Sequence, residues 1–406
     1  LAVGAMHESI VITGMGAVTP VGIGTDAYWN GLLSGACGIG EITQLDTAEL
    51  PIHRAAEVHD FHPKEYMPTR IALDLEPYAQ YAYAAAEQAV TQAALTGSDR
   101  TGIVMATALH GMNILSKTQQ NMDQRGRSAE PKLLTRYMGN VAACYFSIQH
   151  QITGPSLTVS TACSSGGDAI IMASLLLRSG MADAIVVMAG ESAICPAFLQ
   201  SLDKIHALSP TGESRPFDLA RNGFVAGEGG GALVLEREAF ARARGAKILA
   251  RLLGCANNSD AVHPVSPAPD GAGAAACIRL ALADAGLQPA DIGYLNAHGT
   301  ATSKGDIAEA TAICAVFGDH PVSVSSTKGA TGHMMGAGGV TEVIACIQAI
   351  RTGLLPPTLG LQTPDPECPL TFVGAHPEQK QIRAAASNAM GFGGQNSCVI
   401  VGQYKE

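Results

Sequence analysis

The sequence predicts a layered α/β fold, and two observations support that class. Short apolar runs typical of buried strands alternate with longer helical runs along the chain, which is the pattern of α/β proteins. Of the 406 residues, 47% are hydrophobic, 15% are charged and 46 are glycine. This composition supports a large buried core with many tight turns, arranged as one large domain or two fused halves.

The first series of predicted elements follows Leu1 to Met6, a segment that we interpret as a remnant of cloning and set aside. The series consists of a strand from Ile10 to Gly14, helices from Asp26 to Leu33 and Pro77 to Leu95, a strand from Gly102 to Thr107, an exposed connection from Ser116 to Pro131, a helix from Tyr137 to Ile152, a strand from Leu157 to Thr161, a helix from Ile170 to Leu177, and strands from Ala184 to Gly190 and Gly229 to Leu235.

A second series starts at Ile248 and roughly repeats the first. It consists of a strand from Ile248 to Cys255, a helix from Gly273 to Ala285, a strand from Gly293 to Leu295, a helix from Ile307 to Phe317, a strand from Val322 to Val324, a helix from Gly339 to Thr352 and a strand from Ser397 to Val401. We therefore expect an N-terminal half over residues 1–250 and a C-terminal half over residues 251–406.

Charge and cysteine content exclude several classes of protein. The formal net charge is −10, from 25 basic and 35 acidic residues, so neither nucleic acid nor an anionic membrane is an expected partner. No apolar run reaches the roughly 18–20 residues of a membrane span. The ten cysteines show no CxxC pairs, which indicates a reducing compartment, so we expect a soluble cytoplasmic protein.

Two superficial ligand signals are weak. The turn predicted at Gly14-Met-Gly16 lacks the third glycine of a dinucleotide fingerprint, and Thr19-Pro20 stands where its helix would open. His53, His59 and His62 lack the spacing of metal ligands and are interpreted as part of a solvated loop. We predict no cofactor and no catalytic metal.

Cys163 is the candidate nucleophile. The predicted strand ending at Thr161 delivers this cysteine to the first turn of the next helix, where free backbone N–H groups and the helix dipole favour a thiolate. Cysteines so placed have pKa values lowered from ~8.5 towards ~3.5–7.5. The alternative, a buried inert cysteine, stays open on this stretch alone.

Three later segments supply groups that a thiolate nucleophile needs. His298, in Asn296-Ala-His-Gly-Thr300, and His333, in Lys328-Gly-Ala-Thr-Gly-His, each lie in a turn rich in glycine and threonine just beyond a predicted strand. Near the C-terminus, Gly391-Phe392-Gly-Gly394 offers backbone N–H groups to an oxyanion. One cysteine and two histidines on strand-end loops form a constellation for nucleophilic catalysis.

These segments give the chain a resemblance to the β-ketoacyl-acyl-carrier-protein synthases, the ketosynthases of the thiolase superfamily. The resemblance extends from Ile10 to Ile400 and includes two further markers, Arg215-Pro-Phe-Asp218 and Arg221-Asn-Gly-Phe-Val-Ala-Gly-Glu228. It implies a duplicated five-layer αβαβα fold. It also implies a decarboxylative Claisen condensation of an acyl thioester with malonyl-acyl-carrier protein, in fatty-acid or polyketide chain elongation.

The resemblance also implies a role for each site residue. Cys163 carries the acyl group, the backbone N–H groups of Cys163 and Phe392 form the oxyanion hole, and neutral His298 and His333 stabilise the enolate formed on loss of CO₂. Phe392 also acts as a gate over the cysteine. The remaining assignments are electrostatic support of His333 by Lys328, ordering of its loop by Glu342, supporting roles for Thr300 and Thr302, an acyl pocket at Leu109, and a structural monovalent cation near Asn296, Glu342, Ser387 and Asn388.

Two alternatives stay open beside this interpretation. A coenzyme A-dependent thiolase-type acyltransferase shares the fold but needs a second reactive cysteine, and Cys398 lies in a predicted strand instead. A chain-length-setting subunit of a ketosynthase heterodimer lacks the nucleophile that Cys163 provides here.

The expected partners are an acyl carrier protein and a second subunit, in a homodimer or a ketosynthase heterodimer. Acyl carrier proteins are acidic, yet the usual basic docking patch is reduced here to Lys64 and Arg70. We therefore predict docking that is specialised for a cognate carrier, or moved to a partner subunit or to a second basic cluster, formed by Arg125, Arg127, Lys132 and Arg136.

Overall fold

The computed structural model describes residues 8–318 and 320–405. The segment from Leu1 to Met6 lies outside the described residues. The strands are β1 Ile10–Thr19, β2 Gly22–Ile23, β3 Ile39–Glu41, β4 Arg54–Ala56, β5 Thr101–Ala106, β6 Ser156–Val159, β7 Ala184–Glu191, β8 Gly229–Arg237, β9 Ala250–Ser259, β10 Tyr294–Asn296, β11 Ser323–Ser325, β12 Leu354–Leu355, β13 Thr371–Phe372, β14 Glu378–Gln379, β15 Ala384–Gly391 and β16 Gln395–Gly402.

The helices follow the same chain order. They are α1 Thr25–Ser34, α2 Thr69–Asp74, α3 Pro77–Ala93, α4 Met112–Arg125, α5 Leu133–Tyr137, α6 Val141–His150, α7 Ser165–Arg178, α8 Pro196–Lys204, α9 Glu238–Ala243, α10 Ala272–Ala285, α11 Ser303–Phe317, α12 Lys328–Thr331 and α13 Met335–Thr352.

The strand order repeats within the molecule. The N-terminal strands pair in the order β1-β8-β7-β5-β6, and the C-terminal strands pair in the order β9-β16-β15-β10-β11. In each set the first two pairings are antiparallel and the last two are parallel. A short antiparallel contact between β1 and β9 joins the two sets into one hydrogen-bonded sheet. The second half of the chain therefore has the topology of the first.

Helices cover both faces of each half. Helix α3 packs on β1, β8 and β7 from outside, and α10 packs on β9 and β16 in the same way. Helices α7 and α13 lie against each other between the two halves and contact strands of both. The layers are thus helix, sheet, helix, sheet, helix, which confirms the predicted five-layer αβαβα fold.

The two central helices are buried by apolar side chains on several faces. Most of α13 is inaccessible to solvent, because one face packs on α7 and the others on strands of both halves. Both helices begin at the same edge of the molecule, after β6 and β11, and their N-terminal ends carry Cys163 and His333. This arrangement brings together two loops that are far apart in the sequence.

The structure corrects three sequence-based boundaries. The segment predicted as an exposed connection, residues 116–131, lies largely in helix α4. Its low apolar content hid the helix, because one face is solvated and only a few side chains pack inward. The helix predicted from Tyr137 to Ile152 is shorter in the structure, where α6 covers Val141–His150 and the extended backbone of Met138 separates it from α5.

The third correction concerns Gly14 and Gly16. The chain does not turn at these residues, because both lie inside β1, which runs on to Thr19. A Cβ at Gly14 would lie 2.0 Å from the carbonyl oxygen of Ala89 on helix α3. A Cβ at Gly16 would lie 1.9 Å from the carbonyl oxygen of Ala85 on the same helix. Glycine is therefore needed here for the close approach of a helix to the strand. The first strand predicted from the sequence ended five residues too early.

No helix in the described part of the chain combines the length and the apolar character that crossing a membrane requires.

Candidate active site

The turn around Cys163 is held by a network of short polar side chains. Ala162 adopts a left-handed conformation, with φ of 52°, which non-glycine residues rarely do. The hydroxyl groups of Thr161 and Ser164 both donate to one carboxylate oxygen of Asp168, and Asn257 donates to the other. This network fixes the strained backbone that presents the Cys163 sulfur just ahead of α7.

The last strands of the C-terminal half pack closely on this turn. A Cβ at Gly391 would lie 2.8 Å from the carbonyl oxygen of Thr161 and 3.3 Å from the backbone nitrogen of Cys163. Glycine at this position lets the backbone that follows approach the sulfur. The backbone N–H of Phe392 donates towards the Cys163 sulfur.

The two predicted histidines lie beside Cys163. His333 Nε2 is 3.0 Å from Cys163 Sγ, and the two imidazole rings pack edge to face with centroids 5.3 Å apart. One ligand atom from each of Cys163, His298 and His333 lies within 4.8 Å of the other two. All three side chains are buried.

Each histidine is held through its backbone. The N–H groups of His298 and Gly299 donate to the two carboxylate oxygens of Glu309, at 2.8 and 2.7 Å. The N–H of His333 donates to the carbonyl of Val225 at 2.7 Å. Both Nδ1 atoms are buried without a hydrogen-bond partner among the described residues. The rings are therefore positioned by backbone contacts and packing.

The environment keeps both imidazoles neutral. Burial, and then the nearby Lys328 ammonium, lower the pKa of His298 and of His333 well below the ordinary value of 6.5. Lys328 is itself buried and donates from Nζ to Glu342. Neutral rings with an N–H can donate hydrogen bonds to a developing anion at ordinary pH.

The state of Cys163 differs from the sequence expectation. Burial raises the pKa of the Cys163 thiol to about 11, although Lys328 and the Phe392 N–H act in the opposite direction. The helix dipole does not prevail, because the sulfur is desolvated. The resting group is a thiol that lies within hydrogen-bonding distance of His333 Nε2.

A cavity of about 360 Å³ leads to the sulfur and is lined mainly by apolar side chains. Six of the other predicted residues line it: Leu109, His298, Thr300, Thr302, His333 and Phe392. Phe392 is 37% exposed and lines the cavity, as a gate over the sulfur would. Lys328 and Glu342 lie behind the histidines and not in the cavity wall.

Two buried acids at the site escaped the sequence analysis. Glu309 lies within a predicted helix, where its contact with His298 leaves no local signal. Glu191 ends β7 and accepts hydrogen bonds from Thr107, Ala108, Leu109 and Gly336. An acid closing the apolar run of β7 is a signal that could have identified Glu191, since such a group needs several donors.

The fold and the site together define a class, the thiolase-fold enzymes that transfer acyl groups through a cysteine. Comparison with known families makes the assignment more specific. The model of the β-ketoacyl synthase N-terminal domain matches residues 7–241, and that of the C-terminal domain matches residues 249–362. The chain belongs to the β-ketoacyl synthase family, and it is a condensing enzyme of fatty-acid or polyketide synthesis.

Relatives of similar length agree with this assignment. The chain is 37% identical to 3-oxoacyl-[acyl-carrier-protein] synthase 2 of Synechocystis sp., over 98% of this chain and 99% of that protein. It is 35% identical to the enzyme of the same name from Staphylococcus aureus strain COL, over 99% of this chain and 100% of that protein.

Solved structures give the same fold. The ishigamide ketosynthase/chain length factor superposes with a TM-score of 0.92 and 33% identity, covering 98% of this chain and 100% of that one. A type II polyketide synthase ketosynthase in complex with its acyl-carrier protein, AntDE:AntF, has a TM-score of 0.88 and 28% identity, with coverage of 98% and 100%.

Proposed function

We propose that this enzyme condenses an acyl group held on Cys163 with a malonyl group delivered by an acyl carrier protein. The observation that carries this proposal is the cluster of Cys163 with two neutral histidines at the end of an apolar cavity. A cysteine hydrolase needs one histidine and a group that orients it. The imidazole N–H groups of His298 and His333 can both donate to the oxygen of an enolate, which stabilises its negative charge.

In the first half-reaction, the Cys163 thiol attacks the thioester carbonyl of the acyl carrier protein. The thiol proton goes to the departing carrier thiolate, while the Nε2–H group of His333, with Nε2 3.0 Å from Sγ, donates to the sulfur as its negative charge develops. Backbone N–H groups of Cys163 and Phe392 stabilise the tetrahedral oxyanion. Losing one such donor typically costs ~10²–10³ in rate.

In the second half-reaction, the malonyl carboxylate leaves as CO₂ and the electron pair forms an enolate. His298 and His333 donate their N–H groups to the enolate oxygen. The carbanion then attacks the acyl carbonyl on Cys163, and the sulfur departs and takes up a proton from solvent. The product is a 3-oxoacyl thioester two carbons longer. Lys328 supports this step by keeping both imidazoles uncharged.

The experiment that tests this proposal is intact mass spectrometry after incubation with acyl-carrier thioesters of graded chain length. We expect one acyl group on the wild-type chain at Cys163 and none on Cys163→Ala. The matched control is Cys37→Ala, which removes an exposed cysteine and leaves acylation unchanged. Acylation that persists in Cys163→Ala contradicts the assignment of the nucleophile.

We propose a dimer formed along the free edge of β6. Among the described strands, β6 ends the sheet and pairs only with β5, and most of its residues are exposed. Exposed apolar residues also occur in the chain before it, among them Leu134 on α5, Met138 just after α5 and Ile148 on α6. An apolar patch at an open strand edge favours pairing with a second subunit.

The docking prediction needs revision in one respect. Lys132 is paired with Asp74, and Arg136 with Glu76 and Glu130. Among the described residues no ion pair involves Arg125 or Arg127, so we propose these two as the free bases of the second cluster. Arg125→Glu with Arg127→Glu should raise the KM for carrier substrates at low salt more than Lys64→Glu with Arg70→Glu does. A larger effect of the Lys64 and Arg70 pair contradicts relocated docking.

We also propose that a monovalent cation binds behind the histidines. Asn296 and Ser387 are paired neighbours on β10 and β15, and the Asn296 Oδ1 atom is buried without a partner. These oxygens and Glu342 on α13 suit a hard cation. The amide of Asn388 donates to Glu309, and its Oδ1 atom is, like that of Asn296, buried without a partner among the described residues, so Asn388 stays among the proposed ligands.

A further inference from the structure

The Cys163, His298 and His333 cluster has the composition of a zinc site. Zn²⁺ is bound by thiolate sulfur and neutral imidazole nitrogen, and sites with three protein ligands keep the fourth position open. In this structure one ligand atom from each residue lies within 4.8 Å of the other two. Zinc bond lengths require ligand atoms about 3.3–3.8 Å apart, so small ring movements suffice.

The surroundings leave the site accessible and tolerant of a cation. All three residues line the cavity, through which an ion can reach them. The Nδ1 atoms of both rings have no hydrogen-bond partner in the part of the chain that the structure describes, so no such bond fixes the rings. Lys328 opposes a cation, but its ammonium group is paired with the Glu342 carboxylate. Glu309 adds a further buried carboxyl beside the His298 backbone.

We propose that Cys163, His298 and His333 form an inhibitory site for Zn²⁺. On binding, the ion replaces the thiol proton of Cys163, which leaves to solvent, and takes one nitrogen from each imidazole. A water or chloride completes the tetrahedron. No oxidant or reductant is needed, and the site reopens when a chelator removes the ion.

The consequence is competition between metal and substrate. The sulfur that binds zinc cannot attack a thioester, and the histidine nitrogens cannot donate to an enolate. Loss of condensation rests on the proposed function, but metal binding itself does not. The test therefore follows the cysteine and not the catalytic activity.

The experiment measures alkylation of the ten cysteines by iodoacetamide, resolved by mass spectrometry, at increasing buffered Zn²⁺ concentration. We expect alkylation of Cys163 to slow by more than about tenfold and to recover after EDTA, as a bound thiolate is no longer free. Exposed Cys37 and Cys144 report general effects of zinc on the reagent. Buried Cys346 reports loss of fold, since it reacts only in an opened chain.

Histidine variants and prior alkylation of Cys163 distinguish zinc binding by all three residues from weaker binding of zinc by fewer of them. Each of His298→Asn and His333→Asn should raise the zinc concentration for half-protection by more than about tenfold, with Cys346 still unreactive. His59→Asn, at an exposed position, should not change it. Wild-type protein alkylated beforehand at Cys163 should bind one zinc fewer per chain.

Three outcomes overturn the proposal. They are unchanged Cys163 alkylation in zinc, protection that persists in either histidine variant, and equal zinc binding by the capped and uncapped wild-type chains. Failure of Cys163 to accept an acyl group would instead contradict the proposed function alone, because none of the three measurements depends on acylation.

Discussion

His333 is within hydrogen-bonding distance of the Cys163 sulfur, whereas His298 has no hydrogen bond to it among the described residues, and this difference separates their roles. Replacing either histidine by alanine should reduce release of CO₂ from malonyl-carrier substrate by ~10²–10³, because each removes one donor to the enolate. His333→Ala should also slow acylation of Cys163, since Nε2 lies 3.0 Å from Sγ. His298→Ala should leave acylation near the wild-type rate. Radiolabelled CO₂ release and intact mass measure the two steps.

The control for this pair is His59→Ala, at an exposed position away from the cavity. Release of CO₂ at the wild-type rate by both active-site variants would contradict the two-donor model. A loss confined to His333→Ala would assign enolate stabilisation to one histidine.

Leu109 lines the cavity wall next to the end of β5. Leu109→Phe adds volume to that wall, and we expect the longest acyl chain accepted on Cys163 to become shorter. Leu109→Met conserves the volume and should keep the wild-type profile. Intact mass after incubation with a graded series of acyl thioesters gives both profiles. The same profile for all three proteins would place the acyl pocket elsewhere.

At the scale of elements, Glu191 connects the cavity wall at Ala108 and Leu109 to the helix that follows His333. Its carboxyl accepts backbone N–H groups from Ala108 and Leu109 on one side and from Gly336, in the first turn of α13, on the other. Movement of the pocket loop is thereby coupled to the segment that carries His333.

Glu191→Gln should weaken this connection. A glutamine NH₂ must face at least one of the backbone N–H groups, which leaves a buried donor unpaired at a cost of about 1–3 kcal/mol. We expect a lower unfolding midpoint and a broader acyl-chain profile, with unchanged alkylation of Cys163 by iodoacetamide. Glu49→Gln, at an exposed position, is the control. Unchanged stability and an unchanged profile together would exclude this connection.

At the scale of the whole molecule, the free edge of β6 determines the expected assembly. Leu157 is 43% exposed on this edge, and Leu157→Asp places a charge in the proposed subunit contact. We expect light scattering at micromolar concentration to give twice the chain mass for wild type and the single chain mass for the variant. Leu73→Asp, at a residue 73% exposed on α2, should leave the dimer intact.

A wild-type protein that is monomeric alone would contradict the homodimer. A dimer that then forms only with a second ketosynthase-like subunit would support the heterodimer. A Leu157→Asp variant that stays dimeric would move the contact away from β6.

Stability should also depend on pH through Glu228. One of its oxygens accepts from Gln44, Val58 and Tyr81, while the other is buried without a partner among the described residues. Burial raises the pKa of this carboxyl from 4.5 to about 7. Between these values the folded chain holds a proton that the unfolded chain releases, so the free energy of unfolding falls as pH rises through this window, by at most about 3 kcal/mol.

Glu228→Gln keeps the three accepted hydrogen bonds and removes the titration. We expect this variant to be at least as stable as wild type at pH 8 and to show a smaller loss of stability between pH 5 and 8 in denaturant titrations. Glu49→Gln should keep the wild-type slope. An unchanged slope in Glu228→Gln would assign the pH dependence to other buried acids, such as Asp306, whose pKa burial also raises to about 7.

The sequence alone determined the α/β class, most strands and helices, and the candidate nucleophile and histidines. These predictions rest on local patterns. An apolar run predicts a buried strand, and the residues next to Cys163, His298 and His333 in the sequence are those expected of turns at the ends of strands. The long helix α3 and the strand β7 were predicted almost to their ends for the same reason.

Only the tertiary structure decided the features that depend on residues far apart in the chain. The raised pKa of Cys163 results from burial by elements of both halves, which outweighs the local effect of the helix end. Helix α4 was missed because a mostly solvated helix has little apolar pattern. Glu191 acquires its partners when the loop after β5 meets the start of α13, and Glu309 acquires its partners when α11 packs against the loop that carries His298. The burial of a side chain and the identity of its hydrogen-bond partners depend on elements from the whole fold, so a local stretch of sequence does not reveal them.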